Sequence, residues 1–368
     1  MKKKLRVGII FGGKSVEHEV SLQSAKNVID ALDKSKYEPV LIGIDKTGKW
    51  HLQNAAHYLL NAENPKLISL NATDTELVAP IPTEHKSQLV SVNSARNFGA
   101  IDLVFPVLHG TYGEDGTIQG LLKLFDVPFV GASVLGSAVG MDKDVMKRLL
   151  RDGGLPISQF IVLQQHQPAD FAKIKAAVGL PMFIKPANSG SSVGIHKVHN
   201  EAEFKPAIND AFRYDSKIII EENVNGREIE CSVLGNETPE ASLPGEVIPT
   251  HEFYSYDAKY IDENGAGLKI PADLPAETIA RIQALAKKVF TTLCCEGLAR
   301  VDLFLTPENQ LFVNEINTLP GFTRISMYPK LWEASGLSYS ALIDRLIDLA
   351  IERHEREKSL QLSYRLAE

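Results

Sequence analysis

The sequence lacks the cysteine pattern of a disulfide framework or a zinc site. Its 368 residues include only three cysteines, Cys231 and the adjacent Cys294 and Cys295, and these have no paired spacing. A free cysteine is commonly a small buried hydrophobic residue. We therefore interpret all three as reduced packing residues without a redox or metal role.

An excess of positive charge and long apolar runs are also missing. The formal net charge is -7, whereas nucleic acids and anionic membranes bind proteins through clustered Lys and Arg. The apolar stretch Val7–Phe11 after the basic start is too short for a signal peptide, and no run reaches transmembrane length. We expect a cytoplasmic protein whose partners include neither nucleic acid nor a membrane.

A chain of 368 residues with 44% hydrophobic content is long enough for two or three domains and has a substantial core. The buried strand Leu5–Phe11, the helix Val20–Leu32 and the strand Tyr37–Ile44 predict a βαβ unit. The same pattern resumes over residues 101–130, so we predict an N-terminal doubly wound parallel-sheet domain over residues 1–140. Residues 46–98 lose this regularity, and we interpret them as a peripheral insertion of short strands and helices.

The rest of the chain predicts two α+β domains, over residues 141–225 and 226–368. In the first we predict strands at Gln159–Leu163, Met182–Lys185, Gly194–Val198 and Lys217–Glu221, with helices at Ala169–Val178 and Glu201–Phe212. In the second we predict the strand Arg227–Leu234, a long loop Ile248–Gly267, the helix Ala276–Cys294, a hairpin and the helix Tyr339–His354.

The hairpin is the most informative element. The runs Leu298–Leu305 and Gln310–Ile316 alternate in polarity on either side of the turn-forming residues Thr306–Asn309, which predicts two antiparallel strands. If Glu308 and Asn309 form a two-residue turn, charged side chains from both strands share one face.

On that face, Asp302 would lie opposite Glu315 and Arg300 opposite Asn317. Two carboxylates and an amide oxygen beside a guanidinium suit Mg²⁺ carrying nucleotide phosphates better than zinc or a dedicated calcium cage. The alternative is that these charges only cover the solvated face of the hairpin.

A second constellation is the small-residue loop Lys185–Gly194 between two predicted strands. Glycine and serine let backbone N–H groups approach phosphate oxygens, and Lys185 adds a point charge. A flexible surface turn is the alternative. The buried strand Ile218–Glu222 ends in acids that could bind an adenine amine and ribose hydroxyls.

Taken together, these residues resemble the ATP-grasp enzymes and, among them, the D-alanine:D-alanine ligases. The stretches that carry the resemblance are Phe11–Ser21, Leu108–Gly110 with Gly113–Gly116, Met141–Lys143, Tyr256–Tyr260 and Asn317–Thr323. The resemblance implies an ATP-grasp architecture in which the loop 248–267 is a mobile lid. It also implies ligation of two D-alanine molecules to D-alanyl-D-alanine through a D-alanyl phosphate, for peptidoglycan precursor synthesis.

The resemblance also implies the nucleotide and metal sites. Lys143 and Lys185 would hold the α- and β-phosphates, Lys259 the γ-phosphate, Glu221 and the backbone near Val224 the adenine, and Glu228 the ribose. Glu222 stands beside the adenine where relatives often have lysine, which puts nucleotide affinity in question. Two Mg²⁺, for which Mn²⁺ can substitute, would bind Asp302, Glu315 and Asn317.

The substrate site follows from the same resemblance. Glu17 would bind the ammonium of the first D-alanine near His109, Ser326 and the backbone at Met327 would hold the carboxylate of the second, and Arg300 with the N–H of Gly321 would stabilise the oxyanion. Ser191 and Tyr260 would join Glu17 in a hydrogen-bonded triad that closes the lid. The alternatives are a helix first-turn acid for Glu17 and a structural histidine for His109. The family further implies a homodimer.

Two other functions stay open at this point. One is another carboxylate–amine or depsipeptide ligase that uses the same nucleotide site, although Tyr260 matches the dipeptide-forming pattern. The other is a non-catalytic nucleotide or amino-acid sensor, since a fold does not determine a function.

Overall fold

The computed structural model describes residues 3–73, 75–83, 88–94, 96–190, 193–249 and 266–361. Its strands are β1 (Leu5–Gly12), β2 (Tyr37–Ile44), β3 (Trp50–Leu52), β4 (Leu59–Leu60), β5 (Ser69–Leu70), β6 (Glu76–Ile81), β7 (Gln88–Ser91), β8 (Asn97–Ala100), β9 (Leu103–Val107), β10 (Phe160–Gln164), β11 (Met182–Pro186), β12 (His196–Val198), β13 (Lys217–Glu222), β14 (Arg227–Gly235), β15 (Glu240–Ala241), β16 (Gly245–Pro249), β17 (Ala266–Lys269), β18 (Gly297–Leu305) and β19 (Leu311–Asn317). Its helices are α1 (His18–Ala31), α2 (Thr117–Leu124), α3 (Val134–Met141), α4 (Lys143–Asp152), α5 (Phe171–Val178), α6 (Glu201–Ala211), α7 (Ala276–Thr292), α8 (Met327–Ala334) and α9 (Tyr339–Lys358). No helix of the described residues is long and apolar enough to cross a membrane.

The first sheet has the strand order β8-β7-β6-β3-β2-β1-β9. Only β2, β1 and β9 are parallel, and their apolar side chains are covered on both faces, as expected for a parallel sheet. Val7 and Ile9 of β1 pack against α1 and α9, while Ile10 packs in the cluster that contains Ile118 and Leu122 of α2. The doubly wound prediction is confirmed for this part of the sheet.

The insertion differs from the prediction. Strands β3, β6, β7 and β8 extend the first sheet as antiparallel neighbours of β2 and of one another, and β4 pairs with β5. The described residues between 46 and 98 contain short strands but no helix. The insertion is therefore a continuation of the sheet, because the edge of β2 offers free backbone groups to pair.

The second sheet is antiparallel, with the order β10-β13-β11-β12, and α5 and α6 supply side chains to its core. The third sheet has the order β17-β16-β14-β18-β19, and β15 also pairs with β14. Ile282 and Phe290 of α7 pack with Ile229 and Val301 on one face of this sheet. The alternating polar side chains of β14 and β18 are left on the opposite face.

The charged residues of the hairpin pair as predicted, but the turn and the strand β19 differ from the prediction. Asp302 lies opposite Glu315 and Arg300 opposite Asn317. Leu305, however, pairs with Leu311, so residues 306–310 form a turn longer than the two residues predicted. A register shift between Asp302 and Leu303 compensates, because Asn314 forms a β-bulge that adds one residue to β19.

Candidate active site

The charged face of the hairpin is held together by hydrogen bonds. Nε and Nη2 of Arg300 donate to the two oxygens of Asp302, each at 2.7 Å. Nε of Arg300 also lies 2.8 Å from Glu230 Oε2 on β14, and Nδ2 of Asn317 donates to Asp302 at 2.9 Å. The guanidinium is therefore fixed by two carboxylates before any substrate binds.

The predicted metal ligands fit a magnesium ion that is shared with a nucleotide. Asp302, Glu315 and Asn317 supply two carboxylates and an amide, which are hard oxygen ligands. Three protein ligands leave the other coordination positions of Mg²⁺ to phosphate oxygens and water, as is usual for Mg²⁺ in nucleotide sites. Within the described ranges, no group of three or more His, Cys, Asp or Glu side chains is arranged to hold a metal by itself.

A cavity of about 90 Å³ lies against this cluster. Its walls bring together the following predicted residues: Glu17, His109, Arg300, Glu315, Asn317, Gly321, Ser326 and Met327. Glu17 and His109 come from segments that follow β1 and β9 of the first sheet, whereas Arg300 and Glu315 come from β18 and β19 of the third sheet. Residues far apart in sequence therefore converge on a single small space that suits amino-acid substrates.

Glu17 lies at the start of α1 and is only 5% exposed. A Cβ added to Gly110 would come within 2.5 Å of its Oε2, and the φ of +73° at Gly110 also favours glycine. A Cβ on Gly190 would lie 3.3 Å from the same oxygen. The loop after β11 therefore reaches Glu17 at the residue just before Ser191.

The loop that carries Gly321 is anchored to the first sheet. His109 uses both ring nitrogens, with Nδ1 2.9 Å from the carbonyl of Leu319 and Nε2 3.0 Å from Oγ of Ser24. The same Oγ accepts a hydrogen bond from the N–H of Phe322 at 3.1 Å. Burial lowers the pKa of His109, so its ring is neutral at pH 7. His109 thus has a structural role here, and its contact with substrate stays a prediction.

Glu114 makes a second connection to this loop. Its carboxyl accepts hydrogen bonds from the N–H of Gly110 at 2.8 Å and from the N–H of Leu319 at 3.2 Å. Burial and the neighbouring Glu17 raise the pKa of Glu114 to about 8. Glu114 therefore joins the loop after β9 to the loop after β19 at the cavity wall.

The predicted nucleotide side is built around Glu221 at the end of β13. Nζ of Lys147 lies 2.6 Å from Oε1 of Glu221, and Nζ of Lys185 lies 2.7 Å from Oε2. Ser158 bridges the first pair, because it accepts from Lys147 at 2.9 Å and donates to Glu221 at 3.2 Å. Burial would raise the pKa of Glu221, but the two lysines outweigh it and keep this pKa well below its usual range.

Lys143 begins α4 and is 7% exposed. Its Nζ donates to the carbonyl of Ser189 at 2.8 Å and lies 3.3 Å from Oε2 of Glu315. Lys143 therefore links the small-residue loop to the metal-ligand face, which is where phosphates would have to lie if both predictions are right.

The other residues predicted to bind the nucleotide, Glu222, Glu228 and Val224, lie on or between β13 and β14. Oε1 of Glu222 accepts a hydrogen bond from the N–H of Gln159 at 2.7 Å, so this side chain ties β13 to the start of β10. Burial would lower the pKa of Lys185, but Glu221, Glu315 and, to a smaller extent, Glu228 on β14 raise it. Val224 is half-buried in the segment between β13 and β14.

Ser326 lines the cavity immediately before α8. Its Oγ accepts from the N–H of Thr323 at 2.9 Å and lies 2.8 Å from Oγ1 of Thr323. A Cβ on Gly321 would lie 2.7 Å from this Oγ, so any larger residue at position 321 would have to displace the Ser326 side chain. The first turn of α8, from Met327, leaves backbone N–H groups unpaired within the helix, which is a favourable site for a carboxylate.

Three predicted residues, Ser191, Lys259 and Tyr260, lie outside the described residues. The outer residues of the predicted lid loop Ile248–Gly267 belong to strands β16 and β17, because Ile248 pairs with Gly267 and Pro249 with Ala266. The rest of that predicted loop, residues 250–265, lies outside the described residues.

Sequence reasoning missed four residues of the site: Glu114, Lys147, Glu230 and Asn314. Glu230 had a detectable signal, because it alternates with Glu228 along β14. Glu114 lies within a stretch that carried the family resemblance. Lys147 belongs to a helix with several charged residues, so its burial at 1% exposure had no local signal.

Comparison with known proteins supports one family. The protein-family model described as D-ala D-ala ligase N-terminus matches residues 6–132. The family model described as D-ala D-ala ligase C-terminus matches residues 149–348. The chain is 58% identical to a D-alanine–D-alanine ligase of Oceanobacillus iheyensis over 99% of both chains. It is 54% identical to the D-alanine–D-alanine ligase A of Escherichia coli K12, over 98% of this chain and 99% of the relative.

Two solved structures have the same architecture. The ligase of Coxiella burnetii superposes with a TM-score of 0.84 at 40% identity, over 97% of this chain and 96% of that one. The VanG D-Ala:D-Ser ligase of Enterococcus faecalis gives 0.83 at 35% identity, over 95% of this chain and 100% of that one. The chain therefore has the ATP-grasp fold and belongs to the D-alanine:D-alanine ligase family.

Proposed function

We propose that this chain ligates two D-alanine molecules to D-alanyl-D-alanine with ATP, and so supplies the dipeptide of peptidoglycan precursors. The observation that carries the proposal is the single cavity that joins Glu17, Arg300, Gly321 and Ser326 beside the hairpin acids. The near full-length match to ligases of this name agrees with it.

In the first step, the carboxylate of one D-alanine attacks the γ-phosphorus of ATP, ADP leaves, and a D-alanyl phosphate forms. Activation is needed because a carboxylate does not react with amines. Glu17 binds the ammonium of this D-alanine, and Lys143 and Lys185 hold the phosphates of ATP by charge. We assign two Mg²⁺, replaceable by Mn²⁺, to Asp302, Glu315 and Asn317, where they would neutralise phosphate charge.

In the second step, the amine of the other D-alanine attacks the acyl carbonyl, and the tetrahedral intermediate expels phosphate. Ser326 and the backbone at Met327 hold the carboxylate of this substrate. Arg300 and the N–H of Gly321 stabilise the oxyanion. Asp302 accepts two hydrogen bonds from Arg300, so the guanidinium is oriented before the substrate binds. Such preorganised electrostatic stabilisation is often the largest contribution to catalysis.

The lid completes the site. We assign Ser191 and Tyr260, together with Glu17, to the closing triad, and Lys259 to the γ-phosphate, as the family resemblance implies. Exclusion of water protects the acyl phosphate from hydrolysis. The proximity of Gly190 to Glu17 supports this arrangement, since Ser191 is the next residue.

The adenine and ribose are read at the end of β13 and on β14. Glu221 and the backbone near Val224 contact the adenine, and Glu228 binds the ribose. Glu222 is already bonded to the backbone of Gln159, so it contributes to this site by holding the strand end in place. Because the family resemblance implies that relatives often have lysine at this position, we expect weaker adenine contacts from a glutamate.

We also assign the domains and the assembly. The three sheets support boundaries at residues 1–140, 141–225 and 226–368, although α9 packs on the first sheet. By analogy with the family, the protein is a cytoplasmic homodimer that associates through its first domain. Sedimentation velocity of the purified chain should give twice the monomer mass, and a monomer at micromolar concentration would contradict the dimer.

The function is tested by phosphate release from ATP and Mg²⁺ in the presence of D-alanine, with L-alanine, D-serine and D-lactate in parallel. We expect turnover with D-alanine alone and formation of the dipeptide. A complete lack of D-alanine-dependent turnover would reject the proposal. Faster turnover with D-serine as second substrate would instead assign the chain to the activity named for the Enterococcus relative.

A further inference from the structure

The paired lysines at Glu221 pose a problem for nucleotide binding. Glu221 is 3% exposed, and each of its oxygens lies against one ammonium group, from Lys147 and from Lys185. If Lys185 turns to the phosphates of ATP, as the proposed function requires, it leaves this carboxylate. Removing the partner of a buried charge is strongly destabilising when no other partner compensates for the charge.

Lys147 supplies the partner that stays. It lies one turn after Lys143 on α4, it is 1% exposed, and it is held by Ser158 as well as by Glu221. Because its side chain is enclosed, it has no path to a bound nucleotide. The two lysines of α4 thus have different tasks, since Lys143 faces the small-residue loop and Lys147 faces the acid of β13.

We propose that Lys147 is a positioning residue for the nucleotide: it keeps Glu221 ionised and in place, so that Lys185 can exchange its carboxylate partner for the phosphates of ATP. This inference rests on the proposed function, which assigns Lys185 to the phosphates. It concerns a residue that touches neither substrate nor metal and acts only through Glu221.

The charged groups around Glu221 determine what a change at Lys147 does. Lys147 approaches from α4 and Lys185 from β11, while Glu315 on β19 and Glu228 on β14 act on Lys185. Without Lys147, departure of Lys185 would leave the buried carboxylate of Glu221 with the hydroxyl of Ser158 but with neither of its two ammonium partners. Glu221 would then take up a proton when the nucleotide binds, and nucleotide affinity would fall as the pH rises.

The test compares Lys147→Met with the wild type at pH 6, 7 and 8. The methionine fills the same space without a charge. We expect the KM for ATP to rise at least tenfold at pH 8 and less at pH 6, whereas the KM for D-alanine changes by less than about twofold and kcat by less than about threefold. Lys147→Arg, which keeps the charge, should restore most of the ATP affinity.

Arg148→Met is the matched control, because Arg148 is the next residue and is exposed. It should leave all constants unchanged. Equilibrium binding of Mg-ADP to the same variants gives an independent reading, so failure of the inference is separable from an absence of D-alanine turnover in the wild type.

Two results would overturn the inference. The first is a Lys147→Met enzyme whose affinity for ATP and ADP is normal and does not depend on pH. The second is a Lys147→Met enzyme in which kcat falls and the KM values for ATP and D-alanine rise by similar factors, which indicates a general structural defect. If Lys147→Met does not fold, the double variant with Glu221→Gln removes the unpaired charge. Between pH 6 and 8, the affinity of this double variant for ADP should change no more than that of the wild type. A steeper change with pH would contradict the proposal.

Discussion

Replacement of Glu114 by glutamine should change how the stability of the protein depends on pH. Burial and Glu17 raise the pKa of Glu114 to about 8 from the usual 4.5. Between these two values the folded protein keeps a proton that the unfolded chain has lost. The free energy of unfolding therefore falls as the pH rises through this window, by at most about 1.4 kcal/mol per pH unit.

Glu114→Gln removes this titration and adds a constant cost. The glutamine has one amide oxygen for the two N–H groups of Gly110 and Leu319, so one of them loses its acceptor, which costs roughly 1–3 kcal/mol at any pH. We expect the variant to be clearly less stable than the wild type at pH 5. The difference should shrink by up to roughly 3 kcal/mol between pH 5 and pH 7.5.

The measurement is urea unfolding of both proteins at pH 5, 6, 7 and 7.5. Asp115→Asn is a suitable control, because Asp115 is the next residue and also accepts backbone hydrogen bonds, from Tyr112 and Thr117. The difference in free energy of unfolding between Asp115→Asn and the wild type should not shrink between pH 5 and pH 7.5 as it does for Glu114→Gln. If the Glu114→Gln and wild-type stabilities run parallel over the whole range, the reasoning about the buried carboxyl is wrong.

Three further predictions concern the cavity and its lid. Ser24→Ala leaves the N–H of Phe322 without its acceptor and should lower the free energy of unfolding by about 1–3 kcal/mol and reduce kcat; unchanged kcat would show that the loop keeps its position without this anchor. Asp302→Ala and Glu315→Ala should each abolish phosphate release while the circular dichroism spectrum stays native, and near-normal rates would contradict the metal assignment. Tyr260→Phe should raise the KM for D-alanine, whereas normal kinetics would remove the triad from the mechanism.

Local pattern was enough to predict most elements of the fold. The alternation along residues 298–316 predicted the hairpin and the pairing of Asp302 with Glu315, which is confirmed. The reason was only partly right, because a longer turn and the bulge at Asn314 together give the same register as a two-residue turn. Both features also have contacts outside the hairpin: Arg281 donates to the carbonyl of Asn309 in the turn, and the N–H of Val313 beside the bulge donates to the carbonyl of Pro156.

Residues that act through tertiary contacts were much harder to predict. Lys147 and Glu114 become notable only when β13 and the loop after β19 are placed beside them. The insertion was misjudged for a similar reason, since its strands gain their partners from the edge of β2. His109 stood at the end of a predicted strand, but its bonds to Ser24 and Leu319 need two other segments of the chain.

The bulge in β19 has a consequence for length variation. Neighbouring residues of a regular strand project to opposite faces, but Asn314 and Glu315 both reach the charged side: Oδ1 of Asn314 accepts from Nζ of Lys185 at 3.4 Å, and Glu315 lies near Lys143. The peptide unit between Asn314 and Glu315 thus sets the spacing between Lys185 and Lys143, the two lysines assigned to the phosphates of ATP. Loss of a single residue at this point would uncouple them, so we expect related sequences to vary in length almost anywhere else before they vary here.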